Sequence, residues 1–176
     1  EKKTAFVPNE EIRAELTSAV TSRKWDEMIT FWQESEELLN DTLDMDCESV
    51  ANRIEKIHSD YVSVIQYNNE NSLSSVLAIA YLSAMQYYFK PVRELPTGRG
   101  FADFVYIPKP EYKKDYPAIL VELKWNKKAE TAMDQIKDRK YPDSILEYTG
   151  DILLAAISYE KNSKKHVCRM ERYQKE

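Results

Sequence analysis

Pro117-Ala118-Ile119-Leu120-Val121-Glu122-Leu123-Lys124-Trp125 is the stretch whose reading decides the fold. A short apolar run after a proline, rich in β-branched and aliphatic residues, predicts a strand in the middle of a sheet. Side chains alternate along a strand, so Glu122 and Lys124 share one face and Leu123 takes the other. Two charges at the end of a buried strand have an ordinary reading, a solvated ion pair. Their other reading is part of an acidic metal site with a lysine beside it, and the flanking segments have to decide between the two.

Working upstream, Pro108 to Tyr116 reads as a charged loop and Phe101 to Ile107 as a strand that carries Asp103. Pro96-Thr97-Gly98-Arg99-Gly100 holds two of the three glycines and predicts a turn. Tyr87 to Leu95, with Pro91, predicts the first strand of a hairpin at a sheet edge or a bulge. Ser72 to Tyr88 is apolar around much of its circumference and predicts a central buried helix.

Downstream, Lys127 to Lys140 places Ala129, Ala132, Met133 and Ile136 on one face, a helix in the position of a crossover, and Tyr141-Pro142-Asp143 ends it. Asp151 to Tyr159 is a second continuous apolar strand, and His166 to Arg172 alternates as a final edge strand.

The front of the chain is different. Asn9 is a good cap for a helix through Ile12, Leu16, Ala19 and Val20; Lys24 to Asn40 predicts a second helix with Trp25, Met28, Ile29 and Trp32 as a core stripe; about Asp46 to Val64 predicts a third. Residues 1–65 hold 7 Lys+Arg against 15 Asp+Glu, net −8, whereas residues 66–176 hold 18 against 15, net +3. The division predicts an acidic helical connector over 1–65 and an α/β domain over 66–176. The chain starts without a methionine, as a piece of a longer protein would.

At 43% hydrophobic residues the chain can bury a core, and no apolar run approaches the roughly 18 to 20 residues of a membrane span. Cys47 and Cys168 lie far apart with no CxxC spacing, and each predicts a free, half-buried thiol in a reducing, cytoplasmic compartment. His58 and His166 have no sequence companions suggestive of a nucleophilic triad.

Asp103 precedes Glu122 by 19 residues, on a strand that can neighbour it, and strands stand about 4.8 Å apart, so two carboxylates can converge on one ion. Hard oxygen donors suit Mg²⁺ or Mn²⁺ rather than zinc. Lys124 can then orient water or offset developing negative charge, and Glu70, at the head of the buried helix, can add a third carboxylate. This is the outfit of a metal-dependent phosphodiester hydrolase.

Asp103 followed by Glu122-Leu123-Lys124, in an α-β-β-β-α-β order, resembles the PD-(D/E)XK nuclease superfamily. More closely, Leu95 to Asp103, Ala118 to Trp125, Gln135-Ile136-Lys137 with Tyr141-Pro142, and Gly150 to Ser158 look like the PD-(D/E)XK domain at the C-terminus of bacterial AAA-ATPase-like proteins. The resemblance implies a restriction-endonuclease-like core with a mixed central sheet after a small helical region. It implies Asp103 and Glu122 as metal ligands, Lys124 as the catalytic lysine, Glu70 as the helix glutamate and Gln135 as the helix glutamine facing the site. It also implies an N-terminal ATPase-like partner domain absent from this chain. Ala102 stands where the motif name has proline, a common replacement in the superfamily. Arg99, Lys127, Lys128, Lys137, Arg139 and Lys140 are candidates for a phosphate-contacting rim. The alternative function is a nuclease-fold module that no longer cuts and binds nucleic acid or protein as a regulatory domain.

Overall fold

The run around Glu122 is the third of five strands among the described residues, in the order β1-β2-β3-β4-β5. The structure, a computed structural model, describes residues 25–61, 70–97, 100–138 and 150–173 together with positions 14 and 145. The helix expected from Asn9, the hairpin tip at 98–99 and the Tyr141-Pro142 stop lie outside the described residues.

The strands are β1 (Val92–Thr97), β2 (Gly100–Tyr106), β3 (Ala118–Trp125), β4 (Ile152–Glu160) and β5 (Lys165–Tyr173). β1 and β2 form an antiparallel hairpin, with Thr97 opposite Gly100 and Val92 opposite Val105. β2 runs antiparallel to β3, β3 parallel to β4 and β4 antiparallel to β5, so the sheet is mixed. A parallel neighbour requires a crossover, and helix α4 (Ala129–Asp138) provides it between β3 and β4. The other helices precede the sheet: α1 (Trp25–Leu43), α2 (Cys47–Tyr61) and α3 (Glu70–Ala80). The arrangement is the expected mixed α/β architecture, consistent with a restriction-endonuclease-like fold.

β3 and β4 are buried almost throughout, as their unbroken apolar runs require of strands covered on both faces. On one face, Ile119, Val121 and Leu123 of β3 and Leu153, Ala155 and Ile157 of β4 join Leu38 and Leu39 of α1, Val50, Ile54 and Ile57 of α2, and Leu73, Val76 and Leu77 of α3. On the other, Ala118 and Leu120 with Val105, Ile152, Leu154 and Ala156 pack against Ala132, Met133 and Ile136 of α4. β5 alternates as an edge strand should, with His166, Cys168 and Met170 buried.

Four sequence readings are corrected. Ile29 and Trp32 do not face the core, being 54% and 36% exposed; α1 buries Phe31, Ser35, Leu38, Leu39 and Thr42 instead. Hydroxyls choose that face: Ser35 Oγ donates to the Ala80 carbonyl at 2.7 Å, and Thr42 Oγ1 lies 2.8 Å from the Tyr81 hydroxyl. The buried helix stops at Ala80 rather than Tyr88 and continues as a 3₁₀ turn, Leu82–Gln86, where the Ser83 N–H donates to Ser35 Oγ at 2.9 Å.

The first strand starts at Val92, not Tyr87. Tyr87 to Phe89 instead pair locally with the start of the β2–β3 connection, through Phe89 N–H to the Ile107 carbonyl and Lys109 N–H to the Tyr87 carbonyl, both 2.9 Å. Finally, Cys168 is buried rather than half-buried. The two histidines, for which no triad was expected, are neighbours in the fold, with ring centroids 5.6 Å apart.

Candidate active site

Glu122 and Lys124 point from β3 toward α4, on the face that carries Leu120, while Leu123 lies in the core cluster on the other side. Lys124 Nζ donates to Glu122 Oε1 at 2.7 Å. Both side chains are deeply buried, Glu122 at 2% and Lys124 at 8% exposure. That exposure rules out the solvated ion pair: an exposed pair is worth little, whereas burying two charges is costly unless they are paired and hydrogen-bonded. Gln135, projecting from α4, supplies a further donor, its Nε2 bonding to the same Oε1 of Glu122. Helical spacing makes this possible, since Gln135 stands one turn from Ala132 and next to Ile136, both buried against the sheet.

Asp103 belongs to the same face as Val105 by strand alternation, and Val105 packs under α4. The β2–β3 register pairs Phe104 with Val121, and one further step sets Asp103 opposite Glu122. Directly opposed side chains on antiparallel strands have Cβ atoms about 4.5 to 5.5 Å apart. Backbone pairing ends there and the Asp103 side chain continues it, Oδ2 accepting the Leu123 N–H at 2.7 Å. That bond ties β2 to β3 at the level of the charged pair and fixes the carboxylate beside it.

Just beyond Lys124 the chain must leave β3 for α4. Asn126 makes the bend in the left-handed region, φ 53°, which asparagine tolerates better than most residues. Its N–H donates to the Tyr159 carbonyl and its Oδ1 accepts the Lys161 N–H, both at 2.8 Å, which pins the end of β3 to the end of β4. Lys127 and Lys128 follow immediately and are exposed at the head of α4. Of the other rim candidates, Lys137 is exposed and paired with Glu171 of β5 at 2.7 Å, while Arg99, Arg139 and Lys140 lie outside the described residues.

The parallel register adds residues that the sequence reading passed over. Ala156 lies beside Glu122 and Ser158 beside Lys124 on β4, and Arg169 lies across from Ala156 on β5. Small side chains therefore stand next to the charged pair where Ile152 and Leu154 fill the same face lower down. The signal was in the β4 run, whose small and hydroxylic members at that parity are Ala156 and Ser158. Arg169 is exposed and bridges to Glu130 of α4 at 3.1 Å.

Glu70 begins α3, and its side chain lies outside the described residues. Among the described residues no three His, Cys, Asp or Glu side chains converge as a metal site. The donor chemistry at Asp103 and Glu122 nevertheless fits Mg²⁺ or Mn²⁺. Such ions are commonly held by one or two carboxylates, with water and substrate phosphate completing the shell.

The model of the PD-(D/E)XK nuclease superfamily matches residues 68–168, more than half of the chain. The chain belongs to the PD-(D/E)XK nuclease superfamily. No curated protein matches it. The matched span of this superfamily member runs through β1 to β4 and into β5, and it contains Asp103, Glu122, Lys124 and Gln135. Helices α1 and α2 precede the match, although they pack on the same apolar cluster as the sheet. No described helix is long and apolar enough to cross a membrane.

Proposed function

We propose that this superfamily member is a nuclease that hydrolyses nucleic-acid phosphodiester bonds, DNA first, with Mg²⁺ or Mn²⁺ held by Asp103 and Glu122. The observation that carries the reading is the buried Glu122–Lys124 pair, 2.7 Å apart, set opposite Asp103 and under Gln135. An apolar pair would suit that place in the core better if the fold alone were served. When bound, the cation supplies charge for a phosphoryl oxygen and lowers the pKa of a bound water.

The chain's own residues supply the rest. Lys124 directs Nζ donors at the attacking water or at a nonbridging phosphate oxygen as negative charge grows there. Gln135 holds the Glu122 carboxylate in one orientation, and Asp103 is fixed by the Leu123 N–H. Lys127 and Lys128, exposed at the mouth of the β3–α4 connection, are placed to meet the phosphate backbone. Glu70 remains a proposed third carboxylate at the start of α3.

The same reading takes residues 66–176 as the nuclease-like domain and 1–65 as a connector from an ATPase-like domain of a bacterial cytoplasmic protein. This part rests on the sequence resemblance alone.

The test is cleavage of duplex and single-stranded DNA and of RNA by the parent chain with Mg²⁺, against Glu122→Ala and Lys124→Ala. Both variants are expected to be inactive. Equal cleavage by all three would remove the reading. Calorimetric titration with Mn²⁺ separates ligand from bystander: Asp103→Asn is expected to weaken binding, and an unchanged isotherm would favour a nuclease-fold module that no longer cuts.

A further inference from the structure

In the run Ile152-Leu153-Leu154-Ala155-Ala156-Ile157-Ser158, the serine is a polar interruption on the face of β4 that α4 covers lower down. Two buried hydroxyls on the helical face bond within the chain: Ser35 Oγ donates to the Ala80 carbonyl at 2.7 Å, and Thr42 Oγ1 to the Leu38 carbonyl at 2.8 Å. Ser158 is buried as deeply, at 3% exposure, yet among the described residues its hydroxyl has no hydrogen-bond partner. A buried hydroxyl left unbonded is costly, and alanine fills the same place without that cost. Ala156, two positions earlier on the same face, shows that the fold accepts it.

Its place gives the hydroxyl a use. Ser158 is the register partner of Lys124, and neighbouring strands about 4.8 Å apart send paired side chains to the same face. On its other side stands Val167 of β5, 41% exposed. The row Lys124, Ser158, Val167 therefore runs from the buried ammonium to open surface, with the hydroxyl between them. Lys124 carries three N–H donors, and its bond to Glu122 uses one. Exposed Arg169 lies diagonally across from Ser158 on β5. A hydroxyl beside an ammonium, with a guanidinium further out, is a set of donors that fits an anion rich in acceptor oxygens, and a phosphodiester is such an anion.

We infer that Ser158 is a further substrate-contacting residue of this site, its hydroxyl donating to a nonbridging oxygen of the scissile phosphate beside Lys124. The inference rests on the nuclease reading. Ser158 gains and loses no proton in this role. Its hydrogen bond strengthens as negative charge accumulates on the phosphate oxygens in the transition state. Because the hydroxyl gives up no bond inside the described fold when the phosphate arrives, the whole of the new bond goes to holding substrate.

The experiment compares the full parent chain, Ser158→Ala and Lys124→Ala on a fluorescently labelled DNA duplex and on RNA with Mg²⁺, alongside thermal melting of each chain. Ser158→Ala is expected to lower kcat/KM by about 10- to 100-fold, the loss of one hydrogen bond to a charged group. It should melt at or above the parent temperature, since no bond inside the fold is removed. A phosphorothioate at the cut separates contact from packing. Sulfur is a poorer acceptor than oxygen, so the parent-to-variant rate ratio should shrink for one of the two nonbridging stereoisomers and hold for the other. Equal cleavage by parent and Ser158→Ala, a ratio unaltered with both stereoisomers, or a melting temperature lowered by more than about 5 °C would overturn the inference alone, the nuclease reading then resting on Lys124→Ala. A parent chain that cleaves neither DNA nor RNA would remove that reading and this inference together.

Discussion

β3 divides the molecule into two halves that are built on opposite terms. On the side of Val121 and Leu123 three helices close over one continuous apolar cluster, and the polar groups there are hydroxyls and imidazoles bonded or packed at its margins. On the side of Leu120 one short helix covers a smaller cluster, and at its edge a carboxylate and an ammonium are buried together. The first face is what a sheet needs in order to fold. The second carries an arrangement that is costly to bury, and the proposed chemistry uses that one face of one strand.

The comparison breaks most sharply at Glu122. Glu122→Ala is expected to lower cleavage by at least ~100-fold, and to cost ~3 to 5 kcal/mol in urea denaturation because Lys124 is left buried without its carboxylate. Replacing both partners, Glu122→Leu with Lys124→Met, should return stability to within ~1 kcal/mol of the parent while activity stays lost. A double variant as unstable as the single one would mean that the pair holds the fold together, and the two faces would differ less than proposed.

Leu123→Ala, one residue away on the other face, should show the reverse pattern. A loss of ~2 to 5 kcal/mol in stability is expected, with cleavage per folded molecule near the parent value at low temperature. A large loss of turnover in the folded fraction would show that the apolar face also tunes the site.

The helical face has a pH dependence of its own. His58 and His166 meet edge to face at 5.6 Å, Tyr159 lies against both, and Glu55 approaches His166 Nδ1 at 4.0 Å. Burial, aided by His58, holds His166 down to about 3, and burial lowers His58 as well. A histidine whose folded pKa is depressed binds its proton more readily in the unfolded chain. Stability therefore rises with pH across this window and falls as the solution is acidified from about 6.5 toward 3, by up to ~1.4 kcal/mol per pH unit for His166, with His58 acting in the same direction. His166→Phe should flatten that slope in denaturation curves taken across the window. An unchanged slope would assign it to carboxylates.

The smallest expected effect is at Gln135. Gln135→Ala should reduce cleavage by about 10-fold, through a less well held Glu122, and change stability by less than ~1 kcal/mol. An unaffected rate would make the amide a packing neighbour only.

Much of this was legible from residue order. Alternation along Ala118 to Trp125 separated Glu122 and Lys124 from Leu123, and the unbroken apolar run of Ile152 to Tyr159 required a strand covered on both faces. The amphipathic Ala129, Ala132, Met133 and Ile136 stripe placed α4 as the crossover and put Gln135 at its margin. Other features were not legible. α1 offers aromatic residues on more than one face, and only its hydroxyl bonds to Ala80 and Tyr81 select the one that is buried. The end of α3 at Ala80 depends on Ser35, 45 residues earlier, so no local propensity could announce it.

By itself the sequence determined which residues can share a face, because periods of 2.0 and 3.6 are properties of the local backbone. It thereby determined the strand and helix order of the sheet and the chemistry available at Asp103, Glu122 and Lys124. Only the tertiary structure decided which faces meet: Asp103 one register step beyond Phe104 and Val121, Ser158 beside Lys124, Gln135 on the Glu122 oxygen, and His58 against His166. Those meetings depend on strand register and helix docking. Both are set by the burial of the whole apolar surface at once, and no short window of sequence contains that information.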